Sequence, residues 1–178
     1  MLKKLSFIMI LLLGTMALFS CEKKTTDYSE YKVEAPESIQ QSGDYNIDFV
    51  NVHNFVIDYM TDEQMPFFYV KDGKFDISGD NEKKEITITC ECITGTTEED
   101  IDLFLSMALN GIGIDASEQD YRLKAPSVDA DGAYQDFGSV FNYYDLKVNC
   151  TLEGGQVLKN FEVKAGKKIP IEPRYILE

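Results

Sequence analysis

The sequence predicts a mainly β domain: an antiparallel β-sandwich or a partly open barrel of about seven strands, with one inserted α-helix over residues 97–110. Three observations predict this class. Apolar and polar residues alternate over Glu85–Ile93 and over Leu146–Glu153, as in strands with one buried face. Gly154–Gly155 supplies a two-residue turn after the second run. Helix and strand patterns do not alternate along the chain, so parallel βαβ units are not expected.

Composition and charge restrict the classes of function. The chain has 178 residues, of which 44% are hydrophobic and 27% are charged, as in globular proteins. It holds 31 acidic residues against 17 basic ones, for a net charge of -14. Affinity for phosphate backbones needs clustered Lys and Arg, so nucleic acid is excluded as a partner. The single histidine, His53, excludes a multi-histidine metal site.

The first 20 residues are predicted to be a secretory signal peptide. Lys3 and Lys4 form a short positive region, and Phe7–Phe19 is an almost uninterrupted apolar run. A small residue, Ser20, then precedes Cys21. A membrane-spanning helix needs about 20 apolar residues, which is longer than this run. The pattern therefore indicates export rather than a transmembrane anchor.

Leu18-Phe19-Ser20-Cys21 resembles the lipobox of bacterial lipoprotein precursors. The resemblance implies cleavage before Cys21, attachment of lipid to Cys21, and association with a membrane through that lipid anchor. Glu22 follows the cysteine, whereas an Asp there is common in family members kept in the inner membrane. The resemblance thus implies a cell-envelope protein in the outer membrane of a Gram-negative bacterium. It covers about the first tenth of the chain and implies nothing about activity.

The rest of the chain is predicted to be a tether followed by one domain. Residues 21–44 are mostly polar and offer little to a core, so they are expected to be a flexible tether behind the lipidated cysteine. An edge strand through Tyr31–Val33 is the alternative for part of this stretch. Residues 45–178 then form a single β-rich domain, which is the natural count at this length.

The segment 45–60 is apolar and β-branched, but its phase changes near Asn51–Asn54. A strand with a bulge or break explains this change. A helix is the competing interpretation, because Phe49, Val52 and Val56 also fall at helical spacing. Strands are preferred on propensity. Downstream, Asp72–Gly73 lies between two apolar runs and predicts a β-hairpin over residues 67–77.

Residues 97–110 carry the one clear helical pattern. Thr97 is a candidate N-cap, and three acidic residues follow it at the positive end of the helix dipole. An apolar stripe recurs at i, i+3, i+4 and i+7, formed by Ile101, Phe104, Leu105 and Ala108. Asn110–Gly111 is the predicted end of the helix.

The C-terminal third predicts a hairpin with a defined register. Folding the chain about Gly154–Gly155 places Leu152 opposite Val157 and Val148 opposite Phe161, while Lys147 meets Glu162 on the outer face. The same register leaves one misfit, because Lys159 falls opposite Cys150. A last strand over Lys168–Leu177 contains two prolines and is therefore expected at an edge.

Besides Cys21, the chain has three cysteines: Cys90, Cys92 and Cys150. All three fall on predicted apolar strand faces. Cys90 and Cys92 lie two residues apart on one strand, near the limiting Cα separation of about 7 Å for a disulfide. A disulfide would therefore join Cys150 to one of them, and export to an oxidising compartment permits it. The alternative is three reduced cysteines that pack as small hydrophobic side chains.

The loop Ser127–Gly132 resembles part of a calcium-binding loop. Hard cations bind several oxygen ligands in such loops, so Asp129, Asp131 and Asp136 are candidate calcium ligands. The spacing of an EF-hand is not kept, because its twelfth position is Gly138 rather than Glu. An acidic surface turn is the preferred interpretation, since Asp and Gly are ordinary turn formers. No other cofactor is predicted.

Aromatic residues crowd the stretch Ala133–Tyr144, and this stretch is the predicted location of any ligand-binding surface. Exposed aromatic side chains beside Asp and Asn would suit a sugar ring. The candidate binding residues are Tyr134, Tyr143 and Tyr144. Aromatic residues in strands more often fill the core, which is the competing interpretation.

No catalytic motif is present: a nucleophile elbow, a Walker motif and a dinucleotide-binding loop are all missing from the sequence. A lone histidine such as His53 is expected to be structural. The sequence therefore predicts a protein that is not an enzyme, with a binding or interaction domain for a protein or glycan partner. A surface glycan-binding accessory lipoprotein is the alternative. A hydrolase with an unrecognised carboxylate pair is the second alternative, because pairs cannot be identified among 31 acidic residues.

Overall fold

A computed structural model describes residues 44–62 and 70–174, without the side chains of residues 61, 62 and 72. The predicted signal peptide, the lipobox at Cys21 and the tether lie outside the described residues, apart from Asp44. Within the described part the elements follow the order α1 (Phe49–Asp62), β1 (Val70–Asp80), β2 (Glu85–Cys92), α2 (Glu98–Gln119), a 3-10 helix (Ser139–Asn142), β3 (Asp145–Leu152) and β4 (Val157–Val163). In this part no helix is both long enough and apolar enough to cross a bilayer.

The four described strands form one open mixed sheet in the order β1-β2-β3-β4. Strands β1 and β2 pair antiparallel, β2 and β3 parallel, and β3 and β4 antiparallel. The prediction of about seven antiparallel strands is therefore not met in the described residues, and the sheet is not closed into a barrel. The expectation that parallel units are absent is wrong, because α2 is the crossover that makes β2 and β3 parallel neighbours.

The sheet buries one of its faces. Strand β2 alternates strictly between half-buried and buried residues, and β3 alternates between buried and half-buried or exposed residues up to Cys150. The buried members of these two strands are Ile86, Ile88, Cys90, Cys92, Leu146, Val148 and Cys150. They form a core with the buried side chains of α1 and α2. The opposite face carries polar residues such as Thr87 and Lys147.

The segment after Asp48 is helical, so the preferred strand interpretation of 45–60 is wrong. Asp48 accepts hydrogen bonds from the backbone N–H groups of Val50 and Asn51 at 3.0 and 3.3 Å, which caps the helix. Val52 and Val56 are fully buried at helical spacing. Packing of this face against α2 therefore outweighs the β propensity of the individual residues.

The predicted hairpin at Asp72–Gly73 is also wrong. Strand β1 runs through this dipeptide, and Gly73 has a positive φ of 65°. The register with β2 slips here, since Val70 pairs with Cys92 but Phe75 pairs with Cys90. The dipeptide therefore forms a bulge in one strand.

Helix α2 begins as predicted and ends later. Thr97 and Asp100 form a capping box, in which Thr97 N–H donates to Asp100 Oδ2 at 2.8 Å and Asp100 N–H donates to Thr97 Oγ1 at 3.2 Å. The helix passes through Gly111 to Gln119, so the predicted end at residue 110 is wrong. A Cβ at Gly111 would lie 2.9 Å from Val56 Cγ2, so the glycine allows α1 to approach instead of ending the helix.

The β3–β4 hairpin confirms most of the predicted register. Leu146 pairs with Val163 and Lys147 pairs with Glu162. The register slips by one residue before the turn, so Val157 pairs with Thr151 rather than Leu152. Lys159 does face the helices beside Cys150, but its Nζ lies 2.7 Å from Asp102 Oδ1 of α2. The apparent misfit is thus a half-buried ion pair between the sheet and the helix.

The segment after β4 packs along α2 without forming the predicted strand, as far as it is described. Ile169 and Ile171 are buried, although Pro170 lies between them. The backbone N–H of Arg174 donates to Ser106 Oγ at 2.7 Å, and Asn110 Nδ2 donates to Arg174 O at 3.2 Å. These bonds give two buried polar side chains of α2 a partner.

Candidate functional site

A cleft of about 270 Å³ lies between the segment 135–142 and the segment 167–173, and is called the C-terminal cleft below. Four buried apolar residues form its floor: Phe137, Phe141, Ile169 and Ile171. Polar residues line it as well, among them Gln135, Asp136, Asn142, Lys168 and Glu172. An apolar floor with a few polar groups is the usual composition of a small-molecule site.

Gly138 determines the course of the backbone in the segment 135–142, the first wall of the cleft. Gly138 has a φ of 84°, which few other residues adopt, and a Cβ added there would lie 2.8 Å from Lys124 O. The following Ser139 pairs twice with Lys124. Its N–H donates to Lys124 O at 2.9 Å, and its hydroxyl accepts from Lys124 N–H at 2.7 Å.

A second glycine, Gly113 of α2, allows the same wall to approach the helix closely. A Cβ on Gly113 would lie 2.0 Å from the carbonyl oxygen of Phe137 and 3.0 Å from Pro126 Cγ. The backbone of the cleft therefore rests directly on the helix. The Phe137 ring in turn packs edge-on against Phe141, with ring centroids 6.4 Å apart.

Among the candidate calcium ligands, Asp129 holds the loop in shape. Asp129 Oδ1 accepts hydrogen bonds from the N–H groups of Asp131 and Ala133 at 3.0 and 2.9 Å, and its Oδ2 accepts from Gln135 Nε2 at 2.9 Å. In the described residues no group of three or more His, Cys, Asp or Glu side chains has a metal-binding arrangement. The pattern of bonds is that of an Asx turn.

Asp136 belongs to the rim of the C-terminal cleft. Its carboxylate accepts hydrogen bonds from the Ser127 hydroxyl and from Gly138 N–H, the latter at 2.7 Å. Partial burial raises the pKa of this carboxyl, but the bonds from Ser127 and Gly138 outweigh burial, and the pKa lies below its usual range. Asp136 is therefore an anion that stabilises the wall of the cleft.

The three candidate tyrosines do not form one exposed platform. Tyr144 is only 1% exposed, so its predicted role as an exposed ligand contact is wrong. Its hydroxyl donates to Asn81 Oδ1 at 2.6 Å and lies 3.0 Å from Tyr45 O, while burial raises its pKa to about 12. The ring of Tyr143 packs against that of Tyr45 at 4.6 Å. The Tyr134 hydroxyl instead lies 3.3 Å from that of Tyr59 on α1.

His53 lies at the edge of the sheet. Its Nδ1 accepts a hydrogen bond from Ile77 N–H of β1 at 3.2 Å, and Asp76 Oδ1 lies 3.6 Å away. The bond occupies a backbone donor of edge strand β1. This role is structural, as predicted for the histidine.

The stretch 133–144, predicted to hold any binding surface, forms one side of the C-terminal cleft. The other side is Lys167–Pro173, most of which belongs to the predicted edge strand Lys168–Leu177, and it supplies two floor residues and the cationic part of the rim. The alternation of Ile169 and Ile171 was a signal of a buried face. What that face packs on depends on contacts with α2, which are distant in sequence.

Comparison with known proteins adds no relative: no protein-family model, no curated protein and no solved structure matches the chain.

Proposed function

We propose that this chain is a lipid-anchored protein of the cell envelope whose folded part binds a ligand in the C-terminal cleft without converting it chemically. The anchor is supported by the positive residues, apolar run and lipobox that end at Cys21. The binding role is supported by the cleft itself, with its apolar floor and polar rim. A volume of about 270 Å³ suits one sugar ring or one or two amino-acid side chains.

Binding is favoured over hydrolysis by the contacts of the two rim carboxylates. A general acid needs a raised pKa so that it holds a proton at neutral pH. Asp136 has a lowered pKa instead, because Ser127 and Gly138 donate hydrogen bonds to its carboxylate. Glu172 is exposed on the rim, where it forms an ion pair with Lys168 at 2.9 Å.

A glycan is the second candidate ligand, and one observation favours it. Two aromatic residues, Phe137 and Phe141, line the cleft together with the amide of Asn142 and the carboxylate of Asp136. Sugars present apolar ring faces together with hydroxyl groups, so this arrangement is complementary to them. The exposed tyrosine platform expected from the sequence does not contribute.

Removal of the lipidation site tests the anchor. In a Gram-negative host we expect the full chain to sediment with membranes and to incorporate labelled fatty acid, because a lipidated Cys21 inserts its acyl chains. The Cys21→Ala variant should lose both properties. Cys92→Ala, a buried cysteine of the domain, is the matched control and should keep them. Equal labelling of Cys21→Ala and the native chain would contradict the lipid anchor.

Obstruction of the cleft tests the binding site. The purified full chain in detergent is screened by thermal shift against a panel of glycans and short peptides. A ligand at a hundredfold excess over Kd stabilises the folded state by about 2.7 kcal/mol, which is readily measured. The variant Asn142→Arg places a long side chain in the rim and should weaken binding of any such ligand at least about tenfold, or by about 1.4 kcal/mol.

Asn160→Arg is the matched control, because Asn160 is exposed on β4 and is not part of the cleft lining. It should leave binding unchanged. A ligand that binds Asn142→Arg as tightly as the native chain would place its site elsewhere. Release of a cleaved product from any glycan in the panel would favour the hydrolase alternative.

A further inference from the structure

Three buried thiols meet on the helix-facing side of the two central strands. Cys90 and Cys150 are direct partners in the parallel register of β2 and β3. Cys90 Sγ lies 3.7 Å from Cys92 Sγ, and the Cys90 thiol also contacts that of Cys150. All three cysteines are free in this structure.

Strand geometry distinguishes the three pairs that could be oxidised. Neighbouring strands lie about 5 Å apart, so the Cα atoms of Cys90 and Cys150 fall within the range that a disulfide spans. Cys90 and Cys92 lie at the upper limit of about 7 Å, because two residues of strand separate them. Cys92 and Cys150 are diagonal neighbours about 8 Å apart, which is beyond that limit.

A second pocket, of about 330 Å³, lies beside the bulge of β1 on the face of the sheet opposite the thiols. Its lining includes Thr89, Glu91, Asn149 and Thr151, which alternate with the three cysteines along β2 and β3. Cys90 is 4% exposed, and Cys92 and Cys150 are fully buried. The folded domain therefore shields all three thiols from a reaction partner.

We infer that Cys90 and Cys150 are the pair that becomes a disulfide when the chain reaches an oxidising compartment, with Cys92 left as the free thiol. The pairing rests on the register alone, and its occurrence in cells also rests on the proposed export to the envelope. The crosslink joins the two central parallel strands and encloses the whole of α2 and the cleft wall in one covalent loop.

The oxidant is a protein dithiol oxidase or a small disulfide of the envelope. The Cys90 thiolate attacks one sulfur of that disulfide and expels the other as a thiolate, which forms a mixed disulfide. The Cys150 thiolate then attacks Cys90 Sγ and expels the second oxidant sulfur. The two cysteines lose two protons and two electrons, and the oxidant disulfide is reduced to two thiols.

The folded reduced protein is expected to react slowly. The hydrogen bond with Cys150, together with burial, raises the pKa of the Cys90 thiol. The hydrogen bond with Cys90, together with burial, raises the pKa of the Cys92 thiol. Thiols with raised pKa values contain little thiolate at neutral pH. Oxidation during folding in the envelope is therefore faster than oxidation of the finished domain.

Peptide mapping of the full chain tests the pairing. The protein is isolated from the envelope of a Gram-negative host, free thiols are blocked under denaturing conditions, and the chain is digested with a protease that cuts after Glu. Cleavage after Glu91 separates Cys90 from Cys92. We expect a Cys90–Cys150 linked peptide, lighter by two hydrogen atoms than the two reduced peptides, and a blocked Cys92.

Three variants and one refolding reaction distinguish the possible disulfide pairings, and separate the pairing from the proposed export. Cys92→Ala should keep the linked peptide, whereas Cys150→Ala and Cys90→Ala should lose it. The reduced chain is also denatured and refolded with oxidised glutathione. Refolding that gives no Cys90–Cys150 link, or gives a link to Cys92, overturns the inference. A link formed on refolding and missing from envelope-derived protein supports the pairing and contradicts the proposed export instead.

A stability measurement gives an independent readout. A disulfide that closes a loop of this length raises the melting temperature by about 5 °C or more. The oxidised native chain and oxidised Cys92→Ala should both lose this increment when a reductant is added. Cys150→Ala should melt at the same temperature with and without reductant. An equal response of Cys150→Ala and the native chain would overturn the inference.

Discussion

Replacing Gly113 by alanine is expected to destabilise the domain by about 2 kcal/mol or more and to deform the C-terminal cleft. The added Cβ would lie 2.0 Å from the carbonyl oxygen of Phe137, which is backbone and cannot rotate away. In a helix without such a contact, Gly→Ala would stabilise by about 1 kcal/mol. The sign of the change therefore tests whether the cleft wall rests on α2.

Gly111→Ala is the matched comparison on the same helix. Its Cβ would lie 2.9 Å from Val56 Cγ2 and 3.3 Å from Tyr59 Cδ1, both of which are side-chain atoms. These atoms move more easily than backbone, so we expect a smaller loss than at Gly113. Urea denaturation measures both losses, and hydrogen exchange over residues 124–139 reports the cleft wall. A Gly113→Ala variant as stable as the native chain, with unchanged exchange, would contradict the described packing.

Replacing Asn81 by alanine is the second change with a large expected effect, about 2–4 kcal/mol of lost stability. Asn81 Oδ1 accepts from Ile47 N–H and Asn81 Nδ2 donates to Ile47 O, both at 2.9 Å. The same Oδ1 accepts from the Tyr144 hydroxyl at 2.6 Å. Since Ile47 is buried, truncation leaves its backbone N–H and C=O without these partners, while the Tyr144 hydroxyl keeps its bond to Tyr45 O.

Loss of the Asn81 hydrogen bonds should also loosen one particular segment of the domain. Asn81 attaches the chain at the point where the predicted tether would join the domain. In Asn81→Ala, hydrogen exchange should therefore rise first over residues 44–62. Asn160→Ala, an exposed asparagine on β4, is the control and should change stability by less than about 0.5 kcal/mol. A loss for Asn81→Ala no larger than that of the control would show that the amide does not hold this segment.

Local signals predicted several elements correctly. The N-cap at Thr97 needs only the residues of the first helical turn, and the alternation in β2 needs only its own side chains. The β3–β4 register follows from one turn and two short strands, and it was wrong only at Leu152. Each of these features is decided within one element or between two strands joined by a single turn.

The wrong predictions all concern residues whose structure depends on contacts with distant parts of the sequence. The segment after Asp48 has strand-like composition, and its helix is stabilised by packing on α2. Gly111 resembles a helix end until Val56 is found next to it. Lys159 was a misfit because its partner, Asp102, lies on another element. A one-dimensional pattern contains none of these contacts.

For the candidate site, too, the sequence predicted some features and missed those that depend on distant contacts. The sequence located one wall of the C-terminal cleft in 133–144, because aromatic residues cluster there. It assigned Tyr144 to an exposed surface, and the structure buries that ring against Phe49 and Asn81. It also left two partners open for Cys150, and the parallel register brings Cys90 opposite.

By itself, the sequence determined the start of α2, the alternating face of β2 and the β3–β4 turn, since capping and alternation act between near neighbours. It also contains the linear motif ending at Cys21 on which the proposed lipid anchor rests. Tertiary structure decided that 49–62 is a helix, that β2 and β3 run parallel, and that Gly113 supports a cleft wall. These features depend on which surfaces meet, and burial of apolar area is a property of the assembled chain.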